Sequence, residues 1–527
     1  MISLLDYGAG NVRSVRNAVR KLGFELTDIQ TPDDILHAER IIFPGVGSFG
    51  SAMQRLHQMG FFEPLREYLQ ADRPFLGICI GLQALFEGSA ESPGVDGLGI
   101  IPGLVRRFDV PGLSVPHMGW NGVRLRRDTP LLTGIEEEKL YFVHSYRATS
   151  EQANVDWVLA ETDYGDGFIS AVQKGQIAAF QFHPEKSGPA GLRLLGRFLG
   201  ASEMSAGDVR GSSGETQLAK RIIACLDVRT NDTGDLVVTK GDQYDVREEG
   251  EVRNLGKPVD LARRYYEEGA DEITFLNITA FRDFPLVDQP MLEVLRRTSE
   301  NVFVPLTIGG GIRAFTDSEG RSYSALDVAS EYFASGADKI SIGSDAVLTV
   351  EQVLAQGGRT GDSAIEQIAH RYGSQAVVIS IDPRRIYVSS PDDTPHDTIC
   401  TNVPGPNGEE YCWFQCTVKG GREGRELDAV ELARVCEQLG AGEILLNSID
   451  RDGTGAGFDL ELVQAVNAAV TIPVIASSGA GGVEHFSEVF AVTDVEAALA
   501  AGIFHRREVP IAAVKEHLRE AGIETRR

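Results

Sequence analysis

Three residues in the amino-terminal half of the chain have the types and spacing that thiol catalysis needs. Cys79 stands between two glycines at the end of an apolar run, Phe75-Leu-Gly-Ile-Cys-Ile-Gly, which is the thiol version of the nucleophile elbow. His183 directly follows a second apolar run, and Glu185 stands two residues beyond it. A thiolate needs a base, and the base needs an acid that orients it, so these residues predict a catalytic triad. A buried structural cysteine beside a surface histidine is the alternative.

Two aspartates in the second half of the chain end apolar segments that resemble each other. Asp227 ends Ile222-Ile-Ala-Cys-Leu-Asp, and Asp382 ends Val378-Ile-Ser-Ile-Asp. Two carboxylates that face each other across the mouth of a barrel can act as general acid and general base on one substrate. Carboxylates solvated at strand ends are the alternative, and the similarity of the two segments favours a functional pair.

Small residues at the ends of other apolar segments predict two sites for phosphate. Glycine lets backbone N–H groups approach phosphate oxygens closely, and a helix that begins there adds a favourable dipole. One group lies at the ends of the apolar segments 304–310 and 339–344. The other lies at or after the ends of the segments 443–450, 473–478 and 497–504. The residues are Gly310, Gly311, Gly343 and Ser344 in the first group, and Asp452, Gly453, Ser478, Gly479 and Gly502 in the second. Two such groups predict a substrate with a phosphate at each end.

The apolar segments of the second half have the spacing of a (β/α)8 TIM barrel. We expect strands at 222–227, 272–278, 304–310, 339–344, 376–382, 443–450, 473–478 and 497–504, with helices such as 258–268 and 426–439 between them. Strands one to three resemble strands five to seven in order. This internal repeat favours a closed barrel over the alternative, a doubly wound sheet, and it puts Asp227 and Asp382 on opposite sides.

A polar segment separates this predicted barrel from the amino-terminal half. Residues 201–217 are rich in serine, glycine and acidic residues, which is typical of a linker. Before it, short apolar runs alternate with helical patterns, which predicts an open α/β sheet. We therefore expect an α/β domain over 1–200, a linker over 201–217 and a barrel over 218–527.

The composition excludes several classes of protein. The 527 residues carry a formal charge of -26, which argues against nucleic-acid and anionic-membrane binding. Six cysteines in this length do not indicate a secreted disulfide framework, and Cys412 and Cys416 lack a matching Cys/His pair for zinc. We expect neither metal nor cofactor. Without a signal peptide or an apolar run long enough to span a membrane, the sequence predicts a cytoplasmic protein, which we expect to be monomeric.

Charged residues begin four of the predicted barrel strands. They are Arg221, Glu272, Lys339 and Glu443, and all four positions belong to the floor of the barrel, opposite the mouth. A solvated face is the usual explanation. Two charges of each sign around one axis could instead pair in a ring, because isolated charges near a barrel core are too costly.

The first 200 residues resemble the class I (triad) glutamine amidotransferases. Pro44-Gly-Val-Gly-Ser-Phe-Gly, the elbow and Phe182-His-Pro-Glu-Lys carry the resemblance, and Pro116-His-Met-Gly-Trp-Asn with Tyr141-Phe-Val-His-Ser-Tyr narrows it to the glutaminase of histidine biosynthesis. The resemblance implies that Cys79 attacks the side-chain amide of glutamine, while His183 serves as base and then acid and Glu185 orients it. It also assigns the oxyanion to the amides of Gly47 and Ile80, and contact with glutamine to Gln83.

The second half resembles the cyclase of imidazole glycerol phosphate synthases. Lys220-Arg-Ile-Ile-Ala-Cys-Leu-Asp-Val and Ser448-Ile-Asp-Arg-Asp-Gly-Thr are among the matching motifs. The resemblance implies that ammonia reacts with a bisphosphate, phosphoribulosyl formimino aminoimidazole carboxamide ribotide (PRFAR), to give imidazole glycerol phosphate and AICAR. Asp227 and Asp382 would be the acid/base pair, and Lys240 would lie in a loop over the site.

The same resemblance makes the ring of charges a gate for ammonia from the glutaminase. Lys186, beside the triad, and Asp338, beside Lys339, could then form an ion pair where the two domains dock. Two other functions stay open at this point. One is a histidine-pathway barrel isomerase, which needs no glutaminase half, and the other is a sensing scaffold without catalysis.

Overall fold

The computed structural model describes residues 2–8, 10–201, 216–231, 235–239, 247–248, 251–252, 254–278 and 286–527. The amino-terminal half is built on a mixed sheet of eight strands. In spatial order these are Leu26–Asp28, Ile2–Leu4, Arg40–Gly45, Phe75–Cys79, Ile177–Phe180, Asp166–Lys174, Val158–Tyr164 and Arg124–Leu125. The first five strands run parallel and the last three pair antiparallel.

Helices and two smaller sheets complete this half. The helices are Val12–Lys21, Pro32–His37, Phe49–Gln58, Phe62–Gln70, Ile80–Gln83 and Gly188–Leu199. The small sheets consist of Phe86–Ser89, Ile101–Arg107 and Tyr146–Arg147, and of His117–Asn121 with Leu140–His144. The central strands are buried along almost their whole length, with only Arg40 partly exposed, which explains why their sequence is almost continuously apolar.

Eight parallel strands close into a barrel in the second half, as the sequence predicts. They are Arg221–Thr230, Glu272–Asn277, Leu306–Gly309, Lys339–Ile342, Val377–Ile381, Glu443–Leu446, Val474–Ser477 and Ala497–Ala500, here barrel strands 1 to 8. Strand 8 pairs with strand 1, with Ala497 opposite Arg221, and this pairing closes the barrel. Strands 1 and 5 are therefore diametrically opposed.

Helices surround the barrel. They are Pro258–Glu267, Pro290–Thr298, Ala325–Ser335, Ser344–Gln356, Ala364–Tyr372, Ala429–Leu439, Leu460–Asn467, Val483–Thr493, Gly502–His505 and Ile511–Glu520. Several expectations from the sequence were wrong in their bounds, and two of them have a clear structural reason. The helix expected from residue 426 begins only at Ala429, because Glu423–Asp428 is a strand that pairs with Tyr411–Val418. The last barrel strand ends at Ala500, since Gly502–His505 is already helical.

Additional strands extend the mouth of the barrel. Leu236–Thr239 pairs antiparallel with the end of strand 1. A hairpin of Phe315–Thr316 and Ser322–Tyr323 follows strand 3, and an antiparallel sheet of Pro383–Val388, Ile399–Cys400, Tyr411–Val418 and Glu423–Asp428 follows strand 5. The segments that follow strands 3 and 5 thus contain additional strands at the mouth end of the barrel.

Side chains alternate between the barrel interior and the helices outside. On strand 1, Ile223 and Cys225 belong to a small interior cluster, whereas Ile222, Ala224 and Leu226 pack with the surrounding helices. The same alternation points Arg221 inward at the floor and Asp227 inward at the mouth. The interior between floor and mouth is thus lined by apolar side chains of several strands.

Candidate active sites

The turn at Cys79 has the backbone of a nucleophile elbow. Cys79 ends the strand Phe75–Cys79 with φ 54°, and the helix Ile80–Gln83 begins directly after it. A Cβ on Gly77 would lie 2.5 Å from the carbonyl oxygen of Gly81, and a Cβ on Gly81 would lie 2.1 Å from that of Phe43. Only glycine fits at these two positions, which is the physical reason for the Gly-x-Cys-x-Gly pattern.

The three residues of the predicted triad are brought together and buried. Nδ1 of His183 lies 2.8 Å from Oε1 of Glu185, and both side chains are almost fully enclosed. Burial works against the charged imidazole, but Glu185 and Cys79 outweigh it and raise the pKa of His183 to about 10. The site therefore favours an imidazolium beside the sulfur, which is the arrangement that activates a cysteine nucleophile.

The other predicted glutaminase residues lie around the same turn. Ile80 is the first residue of the helix after Cys79, so its N–H is one of those left free by the helix geometry. Gly47 follows the neighbouring strand with φ 106°, and a Cβ there would come within 3.0 Å of the carbonyl oxygen of Arg371 in the barrel half. Gln83 is buried and donates to the carbonyl of Tyr146 (3.0 Å).

Two residues near the thiol were missed by the sequence analysis. Tyr7 donates a hydrogen bond to the carbonyl of Val46 (3.1 Å), and burial together with the charges of Cys79 and Glu91 raises its pKa. Glu91 accepts from the N–H of Phe49 (2.7 Å), and burial raises its pKa above the ordinary value. No local pattern marks Glu91, because its proximity to the site comes from packing of distant segments.

The two predicted acids of the barrel lie at its mouth on opposite strands. Asp227 lies on strand 1, opposite Thr239 of the added antiparallel strand. Asp382 directly follows strand 5 and is partly buried; its Oδ1 accepts from the amide of Asn447 (2.6 Å). Burial raises the pKa of Asp382, and the charge of Asp452 acts in the same direction. Asn447, at the end of strand 6, is a second residue that sequence reasoning missed.

The first predicted phosphate site lies at the ends of adjacent strands 3 and 4. Gly310 has φ 91°, and a Cβ there would lie 2.1 Å from the carbonyl oxygen of Asn277. Gly311 follows with φ 76°, so both positions favour glycine. Helix Ser344–Gln356 begins at Ser344, directly after Gly343, and directs its free N–H groups to this edge.

The second predicted phosphate site lies at the ends of strands 6, 7 and 8, across the mouth. Ser478 and Gly479 follow strand 7 with φ 73° and 95°, and Gly453 has φ 71° in the loop after strand 6, next to Asp452. Gly502 begins the short helix after strand 8. The two groups thus lie on opposite sides of the mouth, where the ends of one elongated substrate would reach them. Lys240, expected over this mouth, lies outside the described residues.

The four charges at the floor form a closed ring of ion pairs. Arg221 contacts Glu272 (3.1 Å) and Glu443 (2.5 Å), and Lys339 contacts the same two carboxylates (2.7 and 2.6 Å). All four side chains are buried. Burial works against the charged form of Glu443, but Arg221 and Lys339 outweigh it and hold its pKa below the ordinary value. The ring is therefore a paired structure and not a solvated face.

The floor of the barrel packs against the glutaminase half. Sδ of Met118 lies 3.6 Å from Nζ of Lys339, and the indole N–H of Trp120 donates to the carbonyl of Asp271 (3.1 Å). Nζ of Lys186 lies 2.6 Å from Oδ2 of Asp338, which is the ion pair that the sequence suggests. The strand His117–Asn121 thus brings two side chains to the floor.

Other kinds of site find little support in the described part of the chain. Within those residues, no group of three His, Cys, Asp or Glu side chains could hold a metal ion. Cys412 and Cys416 are free, buried thiols on the strand Tyr411–Val418. In the same ranges, no helix is both long and apolar enough to cross a membrane.

Comparisons with known proteins match both halves. The family model of class-I glutamine amidotransferases matches residues 3–200, and that of histidine biosynthesis proteins matches residues 221–510. A protein of Arabidopsis thaliana named imidazole glycerol phosphate synthase hisHF, chloroplastic, is 62% identical over 530 residues, which cover 100% of this chain and 89% of the relative. The chain belongs to the imidazole glycerol phosphate synthase family.

Other family members are similar over the same length or over the barrel alone. Imidazole glycerol phosphate synthase hisHF of Schizosaccharomyces pombe is 55% identical over 533 residues, 98% of each chain. Imidazole glycerol phosphate synthase subunit HisF of Methanobrevibacter smithii is 43% identical over 309 residues, which cover 59% of this chain and 99% of the relative. The present chain is the fused form of the synthase, an enzyme with a glutamine amidotransferase half and a cyclase half.

Proposed function

We propose that the amino-terminal half hydrolyses glutamine at Cys79. The sulfur attacks the side-chain amide carbon, and His183 gives its proton to the departing ammonia. The amides of Gly47 and Ile80 hold the oxyanion, and a water activated by His183 then releases glutamate from the thioester. Glu185 orients the imidazole. The 2.8 Å contact between His183 and Glu185 and the raised pKa of His183 support this assignment.

Glutamine itself would be held by side chains around the elbow. Gln83 is the residue that we propose to contact it. We propose Glu91, whose charge acts on Tyr7 together with that of Cys79, as the carboxylate that receives its ammonium group. Attraction between opposite charges in a partly buried site is stronger than in water, which would orient the substrate.

We further propose that the ammonia enters the barrel through the floor and reacts at the mouth. The ring of charges would be the gate, and the apolar interior would be the path. In bulk water near neutral pH most ammonia would be protonated and would lose its nucleophilicity, so a sheltered path preserves the reaction. The observation that carries this proposal is the position of Met118, which lies on the strand His117–Asn121 of the amino-terminal half and contacts gate residue Lys339 (3.6 Å).

At the mouth, Asp227 and Asp382 would act as general acid and base while ammonia adds to PRFAR. Cleavage and ring closure would then release imidazole glycerol phosphate and AICAR. The two glycine-rich groups would hold the two phosphates. The raised pKa of Asp382 supports a role in proton transfer, because such shifts are frequent among catalytic acids. Lys240, which lies outside the described residues, keeps its proposed role over the active site.

Replacement of the nucleophile tests the division of labour. Cys79→Ala should abolish turnover with glutamine, whereas turnover with ammonium salt at high pH should persist. Loss of both activities would contradict the proposal, as would retained turnover with glutamine. Glutamate release by the wild type, measured with and without PRFAR, would show whether the two sites are coupled.

Several features of the whole molecule remain proposals. We propose a domain boundary within the linker 201–217, a monomer in solution, a cytoplasmic location, and no metal, cofactor or nucleic-acid partner. Sedimentation analysis and cell fractionation would test the second and third of these. The match of family models to both halves supports the synthase over a barrel isomerase or a scaffold without catalysis.

A further inference from the structure

Two buried histidines of the glutaminase half take no part in the reaction proposed above. His117 and His144 lie opposite each other on the paired strands His117–Asn121 and Leu140–His144. Nδ1 of His117 lies 3.1 Å from Nε2 of His144. Their side chains are 0% and 3% exposed. Imidazoles enclosed so completely are stable only when each ring nitrogen has a matching partner.

The neighbouring groups fix which nitrogen of each ring carries the proton. The carbonyl of Tyr146 can only accept, so Nδ1 of His144 donates to it (2.8 Å). Nε2 of His144 is then the acceptor, and Nδ1 of His117 donates to it. Nε2 of His117 accepts from the amide of Asn121 (3.2 Å). Each ring thus uses one donor and one acceptor, which is the pattern of two neutral imidazoles.

The orientation of the Asn121 amide is itself fixed. Its Oδ1 accepts from the N–H of Gly122 (2.8 Å), and its Nδ2 also donates to the carbonyl of Asp163 (3.1 Å). Burial lowers the pKa of His144 to about 3, and it holds the pKa of His117 well below the ordinary value, with His144 contributing. Geometry and electrostatics agree that neither ring is charged near neutral pH.

The hydrogen bonds continue from this pair to the nucleophile. The carbonyl of Tyr146 also accepts from Nε2 of Gln83 (3.0 Å), which in turn donates to Oε1 of Gln181 (3.2 Å). Nε2 of Gln181 lies 3.5 Å from Sγ of Cys79. An unbroken series of buried hydrogen bonds therefore leads from Asn121 to the thiol.

The other end of the series lies on the strand that contacts the barrel floor. Met118 and Trp120 stand between His117 and Asn121 on this strand, and they contact Lys339 and the carbonyl of Asp271. A displacement of this strand against the floor would move His117, and His144 with it. Because each donor and acceptor in this hydrogen-bond network is fixed, the network has few alternative arrangements. It therefore transmits such a displacement instead of absorbing it.

We propose that His117 and His144 are positioning residues of the glutaminase site, which link the floor-contacting strand to Gln83 and Cys79. They transfer no proton. Their hydrogen bonds hold the carbonyl of Tyr146, which holds the amide of Gln83 in the orientation that the thiol site requires. This inference rests on the proposed role of Cys79 as the glutaminase nucleophile.

Variants at His144 can separate the hydrogen bond from the shape of the ring. His144→Phe keeps an aromatic ring and loses both bonds, so kcat/KM for glutamine should fall about 10-fold or more. The factor should be the same at every pH between 6 and 9, since the pair does not titrate there. His144→Asn can still donate to Tyr146 and should recover most of the loss. In His144→Gln the longer side chain places its amide where Nε2 of the imidazole lies, so it cannot donate to Tyr146 and should not recover the loss.

Matched controls exclude a simple loss of packing. Phe168 lies against both rings, with centroids 5.5 Å from His117 and 5.1 Å from His144. Phe168→Leu should lower the thermal stability and leave kcat/KM for glutamine within twofold of the wild type. Turnover of the His144 variants with ammonium salt should equal that of the wild type, which shows that the barrel half is folded and active.

Three results would overturn the proposal. One is equal glutaminase activity of His144→Asn and His144→Gln, which also decides the case if His144→Phe does not fold. Another is a loss in Phe168→Leu as large as that in His144→Phe. A third is a shift of the pH profile in the variants, which would make the pair a proton carrier. Failure of the Cys79→Ala test, by contrast, would overturn the nucleophile assignment itself and is read independently of these variants.

Discussion

The two ends of the barrel hold charged side chains in opposite ways. At the floor, Arg221 and Lys339 each contact both Glu272 and Glu443, so every charge has partners of the other sign. At the mouth, Asp382 accepts a hydrogen bond from the neutral amide of Asn447, and burial raises its pKa.

The difference shows that the barrel keeps charges that stabilise its shape at one end and the carboxylates proposed to react at the other. A buried carboxylate between two cations keeps its charge over a wide pH range, so the floor holds a fixed shape around the proposed gate. A partly buried carboxylate without such compensation keeps its proton to a higher pH than an exposed one does, which suits general acid–base catalysis.

The largest effect is expected at the mouth. Asp227→Asn or Asp382→Asn should lower turnover by about 100- to 10,000-fold with glutamine and with ammonium salt alike, because each variant loses a group for proton transfer. The bisphosphate should still bind, since the two glycine-rich sites are intact, and equilibrium dialysis would measure this. Retained ammonia-dependent turnover would remove the aspartate from its proposed role.

A large loss of stability is expected at the floor. Arg221→Met leaves Glu272 and Glu443 with Lys339 as the remaining partner in the ring, and a buried ion pair broken on one side costs about 3–5 kcal/mol. Arg506→Met is a suitable control, because Arg506 pairs with Glu508 (2.7 Å) where both side chains are about half exposed. Exposed pairs are screened by solvent and contribute about 1 kcal/mol or less.

Urea unfolding of the two variants measures this difference. If Arg221→Met were no less stable than Arg506→Met, the ring would not stabilise the floor, and its pairing would have to be explained by gating alone.

A smaller effect is expected at the docking ion pair. Lys186→Met leaves Asp338 without its buried cation and should loosen the contact of the glutaminase with the floor. Ammonia would then escape, so the ratio of glutamate released to imidazole glycerol phosphate formed should rise by about twofold or more. Lys139→Met is the control, since Lys139 pairs with Glu524 (2.7 Å) between the same halves and Glu524 is about half exposed. An equal ratio in both variants would argue against this role of Lys186.

The smallest effect concerns the stability of the mouth. Because the pKa of Asp382 is raised in the native state, the native state binds the proton more tightly than the unfolded chain does. Its contribution to the free energy of unfolding therefore falls as the pH rises from the ordinary aspartate value through the raised one. Asp382→Asn lacks this cost and should be more stable than the wild type at pH 8.

The difference between Asp382→Asn and the wild type should be smaller at pH 4, close to the ordinary aspartate pKa. Thermal unfolding at the two pH values would measure it, and a variant that is less stable than the wild type at pH 8 would contradict the expectation.

Much of the barrel could be predicted because its strands are buried on both faces. Such strands appear as apolar runs, and the expected starts at 272, 339, 443 and 497 are those of Glu272–Asn277, Lys339–Ile342, Glu443–Leu446 and Ala497–Ala500. Several expected ends were too late. Residues such as Gly310 and Ser478 have positive φ and leave the strand to form the loops of the mouth.

The insertion after strand 5 shows why other parts could not be predicted. Residues 426–428 were expected to begin a helix, but they end the strand Glu423–Asp428, which pairs with Tyr411–Val418. Tyr411–Val418 in turn pairs with Pro383–Val388. Strand pairing of this kind depends on partners along the chain that local propensity does not reveal.

The sequence by itself determined the reacting side chains and the elements that carry them, because an elbow needs its glycines and a barrel strand needs its apolar run. Cys79, His183 and Asp382 could be selected on that basis. The tertiary structure alone decided how distant residues meet. It decided that the suggested ion pair of Lys186 with Asp338 and the closed ring at the floor are formed, and it brought His117 to His144, a contact that the sequence did not suggest. Such contacts join segments far apart in the chain, and their distances follow from the packing of whole domains rather than from any local pattern.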